Sequence, residues 1–404
     1  MKLAIPGAPH LTYCTNVHPG ETWREVRENL ARHVVAVKRA AAPAAPFGVG
    51  LRLSAAAADG LAAATEVDEL RAWLAAEDMY VFTVNGFPYG AFHGVRVKEQ
   101  VYEPDWRDPR RVAYTDRLAT LLAAVLPAAG TGYGSISTVP GAFRPSLAGR
   151  SDREAVAAGL LRHVAHLAAL EEATGRRVRL ALEPEPWCLM ETVEDAVDFF
   201  HAHLWTGAAA GRLAAATGRT MAASTELARR HLGLCVDACH LALEFAAPEA
   251  VLARLRAAEI DVVKVQVSAG MTATLGGGAD AVTRAALAAF ADDVYLHQVV
   301  ERRGAARRRF LDLPEALADA AHGGGAREWR IHFHVPLFRA ALGPLGTTQH
   351  WTAALLQLLA AEGYSGHLEV ETYTWDLLPA AYRGEPLAAT IARELRWTMD
   401  RLGA

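Results

Sequence analysis

The chain lacks the sequence signals of several common functions. Its 41 lysines and arginines are outnumbered by 45 aspartates and glutamates, which gives a formal net charge of -4. Because binding to a phosphate backbone needs an excess of basic residues, we expect no nucleic acid partner. The chain also has no Walker-type phosphate loop, no Gly-x-Gly-x-x-Gly turn and no Gly-x-Ser-x-Gly elbow, so nucleotide and serine-hydrolase chemistry have no specific signal.

Cysteines and long apolar runs are also scarce. Four cysteines in 404 residues are too few for a disulfide framework, so we expect free thiols. The alternative is a zinc site at Cys188, Cys235 and Cys239, but no second closely spaced cysteine pair accompanies it. No apolar run of about 18 residues occurs and the first residues lack a signal-peptide pattern, so we expect a cytoplasmic protein without direct membrane insertion.

Apolar residues are abundant and are arranged in alternating β-type and helical segments. Hydrophobic residues make up 52% of the chain and charged residues 21%, enough to bury a large core. Alanine-rich helical segments separate most of the eight strand-like runs, which is typical of parallel βαβ units. We therefore expect one α/β domain over residues 1–404, a (β/α)8 TIM barrel. The runs are Leu11–Asn16, Phe47–Leu53, Met79–Val84, Tyr133–Thr138, Val178–Glu183, Leu232–Asp237, Asp261–Val267 and His367–Glu371.

The interval before the last run is much longer than a crossover helix requires. It contains the basic cluster Arg307–Arg309, the glycines Gly323–Gly325 and a further β-like stretch, Trp329–Pro336. Loops at the carboxyl face of a barrel tolerate growth and carry function. We therefore expect a long insertion over residues 269–325 that covers this face.

Acidic and amide residues stand where four of the predicted strands end: Glu183, Asp237, Gln266 and Glu371. One such residue alone is more often a helix cap or a solvated turn residue. Four in barrel order are expected to converge, because the carboxyl ends of all barrel strands open onto one face. Their oxygens suit Mn, Mg or Zn, and His240 or His334 could add a nitrogen. Glu185 is expected on the opposite side of its strand from Glu183, and Glu369 on the opposite side of its strand from Glu371.

These residues carry a resemblance to a known superfamily. Leu182-Glu183, the Asp237-x-x-His240 element and Glu371 on the last strand resemble the xylose isomerase-like sugar isomerases and epimerases. The resemblance implies metal ligands at Glu183, Asp237, Gln266 and Glu371, with glutamine where a histidine is usual.

Further motifs are spread over nearly the whole chain: His10–Trp23, Asn85–Gly90, His297–Val299, His332–Leu337 and Glu369–Trp375. Together they resemble the metabolite-traffic protein EboE family. This closer resemblance implies a role with a small metabolite destined for the cell envelope. The partners to be considered are other proteins of the same gene cluster and a second copy of the chain.

For an enzyme, the hypothesis is isomerisation or epimerisation at a hydroxy-carbonyl centre. A divalent metal would bind the substrate oxygens, while Glu183 and Glu371 would move the proton. The residues expected to contact substrate are His240, His334, His332, His297, His18, Asn16, Asn85 and Trp375. Two other readings stay open: a non-catalytic metabolite-binding or escort protein, and an endonuclease IV-like phosphodiesterase. Buried histidines also often serve only as hydrogen-bonded core groups.

Overall fold

A computed structural model describes residues 1–128, 130–277, 280–320, 325–363 and 365–404. These residues form fourteen strands in two sheets. The strands are β1 His10–Tyr13, β2 Phe47–Arg52, β3 Met79–Asn85, β4 Gly134–Thr138, β5 Val178–Leu182, β6 Leu232–Asp237, β7 Val262–Val267, β8 Met271–Leu275, β9 Val299–Arg303, β10 Ala306–Phe310, β11 Arg327–Ile331, β12 Ala341–Leu342, β13 Leu345–Thr347 and β14 His367–Val370.

Eight of these strands form a parallel sheet that curls into a nearly closed barrel. The order is β1-β14-β7-β6-β5-β4-β3-β2, and a bridge between Cys14 and Gly50 brings β1 next to β2. Each of the eight overlaps one predicted run, so the predicted TIM barrel is confirmed. The strands are buried on both faces almost throughout, as expected for a parallel sheet enclosed by helices.

The crossover connections supply most of the helices. Several begin at a threonine or serine that accepts a hydrogen bond from a backbone N–H of the first turn, as Thr22 and Thr192 do. The helices are α1 Trp23–Asn29, α2 Val35–Ala41, α3 Ala55–Leu61, α4 Ala64–Ala76, α5 Pro109–Val125, α6 Arg150–Thr174, α7 Val193–Phe199, α8 Gly207–Thr217, α9 Met221–His231, α10 Ala238–Leu243, α11 Pro248–Ala257, α12 Asp280–Ala288, α13 Leu313–Ala320, α14 Gln349–Glu362 and α15 Leu387–Leu402. Among the described residues, none of them combines the length and apolar character needed to cross a bilayer.

The second sheet is antiparallel and lies between β7 and α14 in the chain. Its order is β10-β9-β11-β8-β13-β12. The insertion predicted over residues 269–325 is therefore too short, because its sheet continues to Thr347. Residues 278–279 and 321–324 of the predicted insertion lie outside the described residues.

The stretch predicted as β-like over Trp329–Pro336 is a strand only as far as Ile331. Beyond that point the Phe333 amide donates to the Ile331 carbonyl and the Val335 amide donates to the Ala269 carbonyl, both at 2.8 Å. The second of these bonds ties the segment after β11 to the chain just beyond β7. The inserted sheet thus delivers residues 332–335 to the mouth of the barrel.

Candidate metal centre

Three carboxylates from different barrel strands meet in the barrel mouth. Glu183 follows β5, Asp237 ends β6 and Glu371 follows β14. One oxygen of each lies within 4.8 Å of the others, and all three side chains are buried. Oε2 of Glu183 and Oδ2 of Asp237 have no hydrogen-bond partner among the described residues. Because buried, unpaired negative charges are strongly unfavourable, this arrangement fits a bound cation.

The electrostatics of the three groups reflect this crowding. Burial and the neighbouring Asp237 raise the pKa of Glu183 to about 8. Burial, together with Glu183 and Asp237, raises the pKa of Glu371 well above its usual value. Burial also opposes ionisation of Asp237, but the imidazoles of His240 and His334 and two hydrogen bonds outweigh it and lower the pKa. Those bonds come from the His240 amide at 3.0 Å and the Ser268 hydroxyl at 2.7 Å.

Two asparagines fix the position of Glu371. Nδ2 of Asn16 and Nδ2 of Asn85 donate to the same oxygen, Oε1, at 2.8 and 3.0 Å. Asn16 follows β1 and Asn85 ends β3, so the two donors approach from separate strands. The structure thus brings both predicted asparagines to the site.

Three histidines surround the carboxylates with a common orientation. Each directs Nδ1 at a hydrogen-bond acceptor, so Nδ1 carries the proton of the neutral ring. Nε2 is then unprotonated, and its lone pair can bind a metal ion. Metal-binding histidines are typically held in this way. The pairs are His240 with the Pro184 carbonyl at 3.0 Å, His332 with Oε1 of Gln298 at 2.7 Å and His334 with the Glu371 carbonyl at 2.7 Å.

His334 is the histidine best placed to join the carboxylates. Its Nε2 lies 4.0 Å from Oδ2 of Asp237 and has no hydrogen-bond partner among the described residues. One ligand atom each from Asp237, His240 and His334 lie within 4.8 Å of one another. An imidazole therefore reaches the site from the segment after β11, although no histidine stands on β7.

Gln266 occupies the β7 position at which the resemblance places a histidine. It lies opposite Asp237 on β6 and Glu369 on β14, and its side chain is fully buried. Neither atom of its amide has a hydrogen-bond partner within the described ranges. A buried amide without partners is unfavourable, so its oxygen fits the role of a further ligand.

The expected orientation of Glu185 and Glu369 is wrong, because residues two apart on a strand point to the same side. Glu369 lies in the barrel interior, where Lys264 pairs with it at 2.7 Å and both side chains are fully buried. Glu185 lines the same cavity as Glu183 and accepts a hydrogen bond from the Tyr102 hydroxyl at 3.0 Å.

A small cavity opens from these groups toward the inserted sheet. Its volume is about 60 Å³, well below the roughly 300–1,000 Å³ of typical ligand pockets. A ligand in this conformation must therefore be small. Part of its lining is apolar and aromatic, formed by Phe87, Phe92, Val97, Tyr295, Leu296 and Tyr373.

Three predicted substrate contacts lie outside this cavity. Nε2 of His18 is 2.9 Å from the Tyr13 hydroxyl, and its ring stacks on His33. His297 sits behind His332, with Nδ1 3.1 Å from the His332 carbonyl and Nε2 paired with Asp292. Trp375 lines a separate surface groove. These three expectations came from sequence motifs, which do not fix the path of a loop.

Other cavity residues were missed from the sequence. Tyr102 and Gln298 line the cavity and are hydrogen-bonded to each other at 2.8 Å. Gln298 follows His297 directly, and neighbouring side chains on an extended chain point to opposite sides. This alternation was the available signal that only one of the two residues would face the cavity. Tyr102 gave no signal, because it lies in a long connection between β3 and α5.

The expectation of free thiols is confirmed, since Cys14, Cys188, Cys235 and Cys239 are all unpaired and buried. The zinc site suggested for Cys188, Cys235 and Cys239 is not among the ligand groups formed by the described residues. Cys239 instead lies with two histidines, because its Sγ and one ring nitrogen each of His332 and His334 fall within 4.8 Å of one another.

The chain matches no protein-family model and no curated protein. It is similar to solved structures. A xylose isomerase-like TIM barrel protein from Mycobacterium smegmatis in complex with magnesium is 10% identical, with 99% of this chain and 98% of that one covered and a TM-score of 0.52. A xylose isomerase domain protein from Salmonella typhimurium LT2 is 11% identical, with 100% of both chains covered and a TM-score of 0.45. The IolI protein with a zinc atom is 12% identical, with 98% of both covered and a TM-score of 0.44.

At such low sequence identities, similarity between two structures is evidence only for a shared fold. The likeness to the Mycobacterium smegmatis protein agrees with the barrel fold described above. This chain is a TIM barrel with an inserted antiparallel sheet, and its fold is similar to that of a xylose isomerase-like TIM barrel protein.

Proposed function

We propose that the barrel mouth binds a divalent cation, Mn, Mg or Zn, through Glu183, Asp237, Gln266 and Glu371. His334 adds a nitrogen to this set. The observation that carries the proposal is the convergence of three buried carboxylates within 4.8 Å, with unpartnered oxygens on two of them. Mixed carboxylate, amide and imidazole donors suit these metals.

We further propose that the protein is a metal-dependent isomerase or epimerase of a small hydroxy-carbonyl metabolite. The cation, when bound, would polarise the substrate oxygens and acidify the neighbouring C–H bond. Glu183 follows β5 and Glu371 follows β14, and β6 and β7 lie between these two strands in the barrel. One group, ionised at the start, would take the proton from the substrate, and the other, protonated at the start, would supply its own proton, to the same carbon in epimerisation or to the adjacent carbon in isomerisation.

Other residues of the chain would position the reacting groups. Asn16 and Asn85 hold Glu371 through its Oε1. His240, whose Nδ1 is bonded to the Pro184 carbonyl, presents Nε2 to a substrate oxygen or to a cation. Phe92 and Tyr295 line the cavity and would shield a bound substrate from water. Exclusion of water strengthens the electrostatic interactions inside.

The resemblance to the EboE family supports a metabolite destined for the cell envelope as the natural ligand. The small volume of the cavity favours a compact polar part of such a metabolite as the portion that enters the barrel. This part would carry the hydroxy-carbonyl group.

A second candidate function is binding or escort of the metabolite without turnover. Gln266 favours it, because a neutral amide is a weaker ligand than the imidazole that the resemblance places on β7. The inserted sheet over the mouth also suits a carrier that keeps its ligand from solvent.

Deuterium exchange separates the two candidates. Manganese-loaded protein is incubated in D₂O with a panel of small hydroxyaldehydes and hydroxyketones, and exchange next to the carbonyl is followed by NMR. An isomerase exchanges at least one compound, and Glu183→Gln abolishes the exchange. His163→Gln, which changes a buried histidine on α6 away from the cavity, serves as the matched control. Binding without exchange would support escort and contradict catalysis.

A further inference from the structure

The groove that contains Trp375 is a separate space with no role in the proposed metal centre. Its volume is about 580 Å³, within the roughly 300–1,000 Å³ of typical small-molecule pockets. Two chain segments bound it: residues 338–339 come after His334, and residues 375–390 come after Glu371. The Thr374 hydroxyl donates to the His334 carbonyl and joins the two segments. The groove is thus built from chain that continues directly from the metal centre.

Aromatic rings form part of the groove. The Phe338 and Trp375 rings are stacked, with their centroids 6.4 Å apart and an angle of 26° between their planes. The Tyr382 ring lines the same space. Because aromatic side chains pack well against other flat, apolar groups, these three rings favour a ligand with a planar apolar body.

Arg339 supplies a positive charge that no acidic side chain offsets by pairing. Its guanidinium carbon lies 5.9 Å from the centre of the Phe338 ring and 5.3 Å from that of the Tyr382 ring. Its side chain makes no ion pair or hydrogen bond with any described residue, and its Nε is buried. A guanidinium packed on aromatic rings keeps its in-plane N–H groups available for a carboxylate or a phosphate.

The indole of Trp375 lacks a hydrogen-bond acceptor. Trp375 is only 7% exposed, and its Nε1 has no partner among the described residues. A buried N–H group without a partner is unfavourable, and buried tryptophans usually have one. An oxygen atom of a ligand in the groove would be the missing acceptor.

The other charges of the groove leave Arg339 available to an anion. Two carboxylates line the groove, those of Asp376 and Glu385. Glu385 pairs with Arg393 at 3.4 Å, and neither carboxylate pairs with Arg339 in the described part of the chain. Arg383 also lines the groove and donates to the Asp376 carbonyl at 3.2 Å. Three arginines against two carboxylates favour a negatively charged ligand.

We propose that this groove binds a small planar molecule that carries a carboxylate or a phosphate group. The anion binds the Arg339 guanidinium and Nε1 of Trp375, and the apolar body packs on the Phe338 and Tyr382 rings. The site is distinct from the barrel mouth, because the groove and the cavity share no lining residue. Binding therefore needs no metal ion.

Binding of 2-naphthoate to the metal-free full chain tests the proposal. The probe 2-naphthamide has nearly the same shape without the charge. The nine tryptophans are labelled with ¹⁵N at the indole nitrogen, and the Trp375 signal is the one absent from Trp375→Phe. We expect 2-naphthoate to shift this NMR signal and 2-naphthamide to bind at least about 10-fold more weakly, because it cannot form a charge-assisted pair. Equal affinities for the two probes would overturn the anion site.

Two arginine variants locate the anion. Arg339→Gln should weaken the binding of 2-naphthoate by at least about 10-fold. Arg153→Gln, which changes an arginine in a groove beside α6, is the matched control and should bind normally. Equal affinities of these two variants would contradict the proposal. If Arg339→Gln does not fold, the comparison of the two probes on the wild type still decides.

Two further measurements define the site. Glu183→Gln/Glu371→Gln should bind 2-naphthoate as tightly as the wild type does, whereas loss of binding would place the probe in the barrel mouth and contradict a separate site. Titration with 2-naphthyl phosphate distinguishes the two anions. A shift of the Trp375 signal at lower concentrations than with 2-naphthoate would support a phosphate as the natural group, and the reverse order would support a carboxylate.

Discussion

Asn85 at the end of β3 donates a hydrogen bond of 3.0 Å to Oε1 of Glu371, a residue 286 positions later in the chain. Asn16 donates to the same oxygen at 2.8 Å. The carboxylate that follows the last barrel strand is thus held by side chains from the opposite end of the sequence. This cross-barrel contact gives the first prediction.

Asn85→Leu should weaken metal binding by about 10- to 100-fold, because loss of a hydrogen bond to a ligand disturbs its orientation. The two side chains have nearly the same shape, so the fold should persist. Titration of the metal-free protein with Mn²⁺ measures the effect. Asn29→Leu, which changes a surface asparagine bonded to the Pro19 carbonyl, should bind normally. Equal affinities for the two variants would contradict a role for Asn85.

His334→Ala tests the imidazole delivered by the segment after β11. We expect a loss of metal affinity of at least about 10-fold, since Nε2 faces Asp237 and has no other partner in the described part of the chain. Gln266→Ala should have a smaller effect, because an amide oxygen is a weaker ligand. Calorimetric titration of both variants ranks the two residues. A larger loss in Gln266→Ala would place the fourth ligand on β7 instead.

The buried pair of Lys264 and Glu369 should behave as a structural unit. Burial opposes the charge of Lys264, but the adjacent Glu369 outweighs it and raises the lysine pKa. Lys264→Met alone should destabilise the fold by about 3–5 kcal/mol, because it leaves a buried charge unpaired. Lys264→Met/Glu369→Leu should recover much of this loss. Urea unfolding of the wild type, both single variants and the double variant measures the coupling between the two residues. If the double variant loses as much stability as the two single variants together, the residues are not coupled.

Glu394 on α15 predicts a pH dependence of stability. Burial raises its pKa from 4.5 to about 8, while its Oε1 accepts from the Leu337 amide and the Thr372 hydroxyl. Between these two values the unfolded chain ionises this group and the folded chain keeps it protonated. The free energy of unfolding must therefore fall as pH rises through this range. The fall is at most about 1.4 kcal/mol for each pH unit.

Glu394→Gln removes this dependence and keeps the accepting oxygen. The stability advantage of Glu394→Gln over the wild type should be absent near pH 4 and should grow up to pH 8. Urea unfolding across this pH range provides the measurement. A constant difference between the two proteins at every pH would show that Glu394 keeps an ordinary pKa.

The barrel and the carboxylate cluster could be predicted because they depend on local patterns. Apolar β-type runs gave the eight strands, and the parallel topology brings Glu183, Asp237 and Glu371 together at one face. The positions of His18 and Trp375 could not be predicted, because they follow from how long loops pack. Tertiary contacts, such as the bond between the Val335 amide and the Ala269 carbonyl, also decided where the inserted sheet delivers its histidines.

The most direct test of the proposed metal centre is the manganese content of the wild type and of Glu183→Gln/Glu371→Gln after loading with Mn²⁺. The two substitutions keep the shape of the side chains and remove two of the three converging charges. We predict a near-stoichiometric ion in the wild type that is lost in the variant, with circular dichroism unchanged. Equal manganese content in the two proteins would contradict a cation site at these carboxylates.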